Sequence, residues 1–373
     1  MIKIIGVGDI MPGGLLTDKL EGCANEDILR VLLEGDIRCG TLECALGNEP
    51  SYDPAKVADR GNVIYAKDAD IRRLKEMHID IVSLANNHFF DLGVDGARHT
   101  IELLDKEGIL HCGAGQNLEE AGTPVVVDIH DKKVAFLGFC DTDYNHVYMC
   151  TYATEDSPGI NPMQEDYVVR EIKKNVSLYD YVVVLAHWGT EHTFYPNMSS
   201  VRMTNLMFDA GAIAVFGSHP HRVQPVINSR KGSVAYSMGN FLFPERLIAP
   251  PKVTYYPDSP IDCSSLPITY EYPVVDRITL KTLPFLPRVG MLVRTKIEGR
   301  TAESDCIFSY LNESNCIELL EHNRVEEIKS SLRRIELPLK LNCYGLFSFA
   351  RRCSRSLSIR LSRLFHLFRK QAC

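Results

Sequence analysis

The chain reads as an α/β protein built on parallel crossovers. Two observations predict this. Short apolar runs alternate with stretches whose apolar residues recur at helical spacing, an order that places helices between parallel strands. Several of the apolar runs also end in a residue able to bind a metal. Ile2 to Val7 delivers Gly8-Asp9, Ile79 to Ala85 delivers Asn86-Asn87-His88, and Tyr181 to Ala186 delivers His187. Ala214 to Phe216 breaks at Gly217-Ser218 and then presents His219-Pro220-His221. Ligands of open α/β sheets collect beyond the carboxyl ends of strands, where these residues fall. In extended backbone, positions i and i+2 point the same way, so His219 and His221 are expected to face one point.

The elements follow in order. Met1 to Gly8 is a buried strand, and Gly13-Gly14 opens a loop. A short helix is expected over 26–34, and Ile37 to Leu42 is a second strand ending at Glu43. Residues 48–62, with Pro50 and Pro54, read as loop. Ile71, Leu74 and Met77 mark a helix within 68–77. The third strand is 79–85, and a strong helix over 94–108 stops at Gly108. Strands over 123–129 and 133–139 flank His130-Asp131-Lys132 and imply mixed strand direction. Residues 141–162 read as a polar loop. A helix over 165–176, a strand over 181–186, a helix over 199–210 and strands over 212–216 and 234–237 follow. The last of these opens into Gly239-Asn240-Phe241. Residues 247–287, rich in proline and tyrosine, read as an irregular segment with short strands. Residues 290–297 are expected to close the main domain, and 316–335 to form a charged helix. The expected organisation is a main domain over 1–300, a helical extension over 301–337 and a basic amphipathic tail over 338–373.

A chain of 373 residues can bury a large core. With 45% apolar and 24% charged residues it has the composition of a soluble globular protein. No apolar run approaches the ~20 residues of a membrane span, and no signal-peptide pattern precedes Asp9. The expectation is a cytoplasmic protein. Twelve cysteines without a CxxC pair fit reduced thiols. Net charge is −7, yet no acid follows Glu336 while eight Lys and Arg do, so the body is strongly acidic. That argues against nucleic acid as a partner. In the tail, Leu346, Ala350, Cys353, Leu357, Leu361, Leu364 and Phe368 share one helical face opposite most of the arginines. Such a helix suits peripheral contact with an anionic membrane surface, or docking on the acidic body itself.

Six segments in order resemble the capsule-synthesis CapA (poly-γ-glutamate synthesis) family, a branch of the calcineurin-like metallophosphoesterases. They are Gly8-Asp9-Ile10-Met11, Leu42-Glu43, Ala85 to Gly93, Ala186 to Glu191, Gly217 to His221 and Tyr236 to Phe241. The resemblance covers roughly residues 1–300. It implies a four-layered α/β/β/α sandwich around one or two divalent transition-metal ions, Mn²⁺, Fe²⁺ or Zn²⁺. It implies Asp9 and His221 as ligands of a first ion and Asn87, His187 and His219 as ligands of a second, with Glu43 at the bridging position. His88 matches the histidine that assists the reaction without binding metal. Asn86, Asp91, Glu191 and Asn240 are expected to orient ligands or touch substrate, and Trp188 either to face substrate or to pack in the core. Carboxylate, amide oxygen and imidazole are suitable donors for these ions, and a pair of them can activate a hydroxide. The implied function is hydrolysis of a phosphate-containing or polymer-linked substrate in capsule, exopolymer or poly-γ-glutamate metabolism. The alternative is a metal-containing assembly component without catalysis. One position departs from the superfamily's Asp-x-His: Met11 stands where the histidine would be, and a thioether is a poor ligand for these ions.

Overall fold

β1 (Ile2–Ile10) is buried along almost its whole length, as a central strand covered on both faces must be. In the computed structural model, residues 1–17, 22–48, 62–142, 150–259, 261–270 and 275–341, with 344, 345 and 348, are described. β1 pairs in parallel with β2 (Ile37–Leu42), β2 with β3 (Ile81–Ser83), and β3 with β4 (Leu110–Cys112). The crossovers carry α1 (Glu26–Leu32) and α2 (Gly93–Glu107). Asn25 caps α1 by accepting the Ile28 N–H at 3.0 Å. Gly108 ends α2 at φ +71°, a conformation glycine adopts without a Cβ clash.

The second sheet begins with the hairpin of β5 (Val125–Ile129) and β6 (Lys132–Asp141). β6 pairs in parallel with β7 (Tyr181–His187), and β7 with β8 (Ala214–Ser218). α3 (Glu165–Val176) and α4 (Met198–Ala210) lie in the crossovers. β9 (Val226–Asn228) and β10 (Ser233–Ala235) complete this sheet. The chain then returns to the first sheet. β11 (Asn240–Leu242) pairs with β1 in parallel, and β12 (Val289–Glu298) pairs with it antiparallel. β13 (Thr301–Leu311) and β14 (Ile317–Leu319) extend that edge.

Among the described residues, alternation along the strands of the two large sheets sorts their side chains into three of the four apolar clusters. Ile4, Val183, Leu185 and Met291 pack between the two sheets. Ile5 faces the other way, with Ile28 and Leu104 of the helices outside the first sheet. Val182 and Val184 pack with Ile172 of α3 and Met207 of α4 outside the second. Two sheets face to face with helices on both outer sides make the expected four-layered α/β/β/α sandwich.

Two expectations are corrected. β12 does not close the main sheet, and 301–337 is not a helical extension. β12 and β13 form a long hairpin turning at Gly299, φ +58°. α5 (His322–Lys340) begins only after β14. The β13 residues alternate in burial at its start, exposed Thr301 then buried Ala302, so their charges lie on one face of a strand rather than around a helix. Within 247–287, the strands Val253–Tyr255, Ile268–Thr269 and Thr279–Lys281 join Arg246–Ala249 in a small four-stranded sheet. Most of the tail face from Leu346 to Phe368 lies outside the described residues. Among the described residues no helix is long and apolar enough to cross a membrane.

Candidate metal centre

The carboxyl ends of the central strands of both sheets meet. Asp9 lies near the end of β1, Glu43 directly follows β2, and Asn87 and His88 follow β3. From the opposite sheet, His187 ends β7 and His219 follows β8. The register of β1 shifts beside Asp9 against both β2 and β11, a local bulge of the kind that re-aims a side chain. Gly8 makes this possible. A Cβ there would lie 1.8 Å from the Gly239 carbonyl oxygen.

Two donor groups form, and both contain Glu43: Glu43 with His187 and His219, and Asp9 with Glu43 and His221. The ligating atoms within each group lie within 4.8 Å of one another. His187 Nε2 is 2.7 Å from Asn87 Oδ1, 3.1 Å from His219 Nδ1 and 3.7 Å from Glu43 Oε1. His221 Nε2 is 3.5 Å from the same Glu43 oxygen. All six expected ligands are therefore brought together, and Glu43 stands between the two groups. The reason given for the histidine pair is corrected. His219 and His221 are not in extended backbone but at φ +91° and +49°. The turn sends His219 to one group and His221 to the other, with ring centroids 6.0 Å apart. Positive φ at two non-glycine residues is backbone strain of the kind that concentrates at functional sites.

Neighbours fix the rings. Asn240 Nδ2 donates to the Pro287 carbonyl at 2.8 Å, so its Oδ1 faces His221 Nδ1 at 2.7 Å. His221 then carries its proton on Nδ1 and turns the Nε2 lone pair toward Glu43. His187 Nδ1 lies 2.9 Å from Ser218 Oγ, which is 3.0 Å from Thr41 Oγ1. That chain ties the two sheets behind the site. Asn86 braces the loop, donating to the Leu42 carbonyl at 2.8 Å and accepting the His88 N–H at 3.0 Å.

The electrostatics call for a cation. Asp9 and Glu43 are fully buried. Asp9 Oδ2 accepts the His219 N–H at 3.1 Å, but among the described residues Asp9 Oδ1 and both Glu43 oxygens have no hydrogen-bond donor. Burial pushes Asp9 from 3.8 to about 7, against the His219 N–H. Burial and then the neighbouring Asp9 push Glu43 well above the usual carboxylate range. Burial draws His221 down to about 3, which keeps its imidazole neutral. Three buried carboxylate oxygens without donors, beside the neutral imidazole of His221, fit a divalent metal. Met11 is fully buried in the apolar core, so the Asp9–Glu43–His221 group has one protein donor fewer than the group holding Asn87.

His88 stands beside the ligands. Its Nδ1 is 2.7 Å from Asp91 Oδ2, which also accepts the Ile64 N–H at 2.6 Å. His88 and His221 line a cleft of about 230 Å³. Glu191 lines it too, 3.8 Å from His192. Trp188, the chain's single tryptophan, belongs instead to the core. It is 1% exposed, donates to the Tyr236 carbonyl at 2.8 Å and stacks on that ring. Sequence reasoning missed four participants: Ser218, Arg222, Arg246 and Lys281. Ser218 and Arg222 sat inside or next to a motif already singled out. Arg246 is fully buried, its guanidinium 5.1 Å over the Phe243 ring, and its charge favours the ionised form of Glu43.

The family model for the bacterial capsule synthesis protein PGA_cap matches residues 3–245. The chain is 30% identical over 245 residues to the capsule biosynthesis protein CapA of Bacillus anthracis, covering 64% of this chain and 58% of that one. It is 28% identical over 242 residues to the PGA biosynthesis protein CapA of Bacillus subtilis, covering 64% and 62%. The match therefore spans about three fifths of those relatives' length. Among solved structures, the calcineurin-like phosphoesterase YfkN from Bacillus subtilis aligns over 91% of this chain and 98% of its own, with 12% identity and a TM-score of 0.42. The chain thus belongs to the PGA_cap family of bacterial capsule synthesis proteins.

Proposed function

We propose that the chain is a metal-dependent hydrolase acting in capsule or poly-γ-glutamate metabolism. The observation that carries this reading is the sharing of Glu43 between two donor groups, one of which contributes His221 to the lining of a cleft that also presents His88. Asp9, Glu43 and His221 would hold one divalent ion, and Glu43, Asn87, His187 and His219 a second. Such a pair, when bound, supplies Lewis-acid stabilisation of the oxygen charge that develops as a phosphoester or amide is hydrolysed. The chain's own residues do the rest. Asp91 holds the His88 Nδ1 proton and so fixes the ring, leaving Nε2 as the atom that gives a proton to the leaving group. Asn240 and Ser218 hold His221 and His187 in their ligating orientation. Ile64, Phe243 and Leu283 supply apolar walls of the cleft.

The test is hydrolysis of an aryl phosphate diester and of a γ-glutamyl peptide by the Mn²⁺-loaded chain and its His88→Ala variant. The reading expects turnover of one substrate class, lost in the variant while the metal stays. Metal retained with no turnover of either class favours an assembly role instead. The three-donor Asp9–Glu43–His221 group is the feature that suits this second reading.

A further inference from the structure

We propose that Arg222, supported by Lys281, forms an oxyanion subsite in the cleft, binding a carboxylate or phosphate of the substrate beside His221. This rests on reading the cleft as the substrate site. Arg222 directly follows His221 and lines the same cleft. Its Nη1 donates to the His221 carbonyl at 2.7 Å, which pins one edge of the guanidinium. A guanidinium carries five N–H donors in a rigid fork, so a bidentate edge remains for an oxyanion. Among the described residues no carboxylate lies within 4.0 Å of it. Glu191, the acid lining the cleft, lies against His192 instead.

Lys281 arrives from the small sheet, in register opposite Arg246. It is 3% exposed, and its ammonium donates to the Tyr270 carbonyl. Both cations act on one ring: Arg222 and Lys281 each disfavour the protonated form of His192. Two cations, one from the turn after β8 and one from the small sheet, thus line a single cleft together with the candidate metal ligand His221. Desolvating the Arg222 guanidinium is costly unless an anion meets it, and the apolar walls strengthen the pairing once it forms. An arginine fork suits planar carboxylate and tetrahedral phosphate alike. The shared chemistry is a bound oxyanion next to the bond being cleaved.

Calorimetric titration of the full chain tests this with two probes, inorganic phosphate and γ-glutamylglutamate. Each is titrated with Mn²⁺ present and after chelation, and elemental analysis is run on every sample. Arg222→Gln is expected to weaken binding about 10- to 100-fold with Mn²⁺ content unchanged. Arg222→Lys is expected to restore part of it, and Lys281→Met to cause a smaller loss. A loss confined to phosphate or to the dipeptide supports the subsite and names its source. The subsite is overturned if wild type binds neither probe, or if Arg222→Gln and Lys281→Met bind both as wild type does. A wild-type chain that holds no Mn²⁺ refutes the metal reading separately. The chelated samples still decide the subsite, because the Arg222→Gln loss is expected there as well.

Discussion

Asp9→Asn should stabilise the metal-free protein while weakening its grip on metal. Burial pushes the Asp9 carboxyl from 3.8 to about 7. Below pH 3.8 the group is protonated in both folded and unfolded chains, so it costs nothing. Between 3.8 and about 7 the folded chain keeps a proton that the unfolded chain releases, so stability falls as pH rises. Above that window the cost levels off at roughly 4 kcal/mol. Asparagine carries no charge, still accepts the His219 N–H and removes the repulsion on Glu43. In the presence of a chelator the variant should therefore melt above wild type at pH 8, by up to roughly 5 °C for a chain of this length. The gap should shrink steadily toward pH 5. Adding Mn²⁺ should reverse the order, because wild type gains binding energy that the variant lacks. Differential scanning calorimetry across pH, with and without Mn²⁺, reads all three effects. A variant less stable than wild type at pH 8 without metal, or a gap that does not change with pH, refutes the reasoning.

Three further outcomes follow from the same geometry. Ser218→Ala removes the partner 2.9 Å from His187 Nδ1 and should lower metal affinity about 10- to 100-fold by competitive chelation, with the fold intact by circular dichroism. His88→Ala should keep the metal content of wild type and lose about 10²- to 10⁴-fold in kcat on whichever substrate is turned over. Gly8→Ala drives a Cβ to 1.8 Å from the Gly239 carbonyl and should separate β1 from β11, giving insoluble or poorly folded protein in expression trials. Wild-type solubility for that variant would mean the strands are not so close.

Much of the site was legible because parallel strands deliver their last residues to one edge. An apolar run followed by Asp9, Glu43, Asn87 or His187 states both the strand and its candidate ligand. The pairing of candidate ligands into two groups came with the family resemblance, and in the folded chain Glu43, His187 and His219 lie together and Asp9, Glu43 and His221 lie together. What strand periodicity misjudged was backbone conformation beyond the strand. His219 and His221 sit i and i+2, but positive φ at both sends them to different groups, and nothing in local hydrophobicity reports φ. The hairpin over 289–311 was hidden for a related reason. Its outer strand exposes Thr301 and Glu303 and buries Ala302, and a polar, half-buried edge strand has a weaker apolar signal than a central one. Lys281 was out of reach, since its place depends on how a small sheet packs over the cleft. Trp188 shows the opposite limit. Its neighbour in sequence, His187, is a candidate ligand, yet alternation along the chain turns the indole into the core.

The most direct test of two ion sites sharing Glu43 is Mn²⁺ stoichiometry by elemental analysis of reconstituted wild type, His221→Ala and His219→Ala. The account predicts about two ions per chain in wild type and about one in His221→Ala, whose remaining ion sits with Asn87, His187 and His219. His219→Ala should lose the better-furnished site. No bound metal in wild type, or the same stoichiometry in all three proteins, would contradict it.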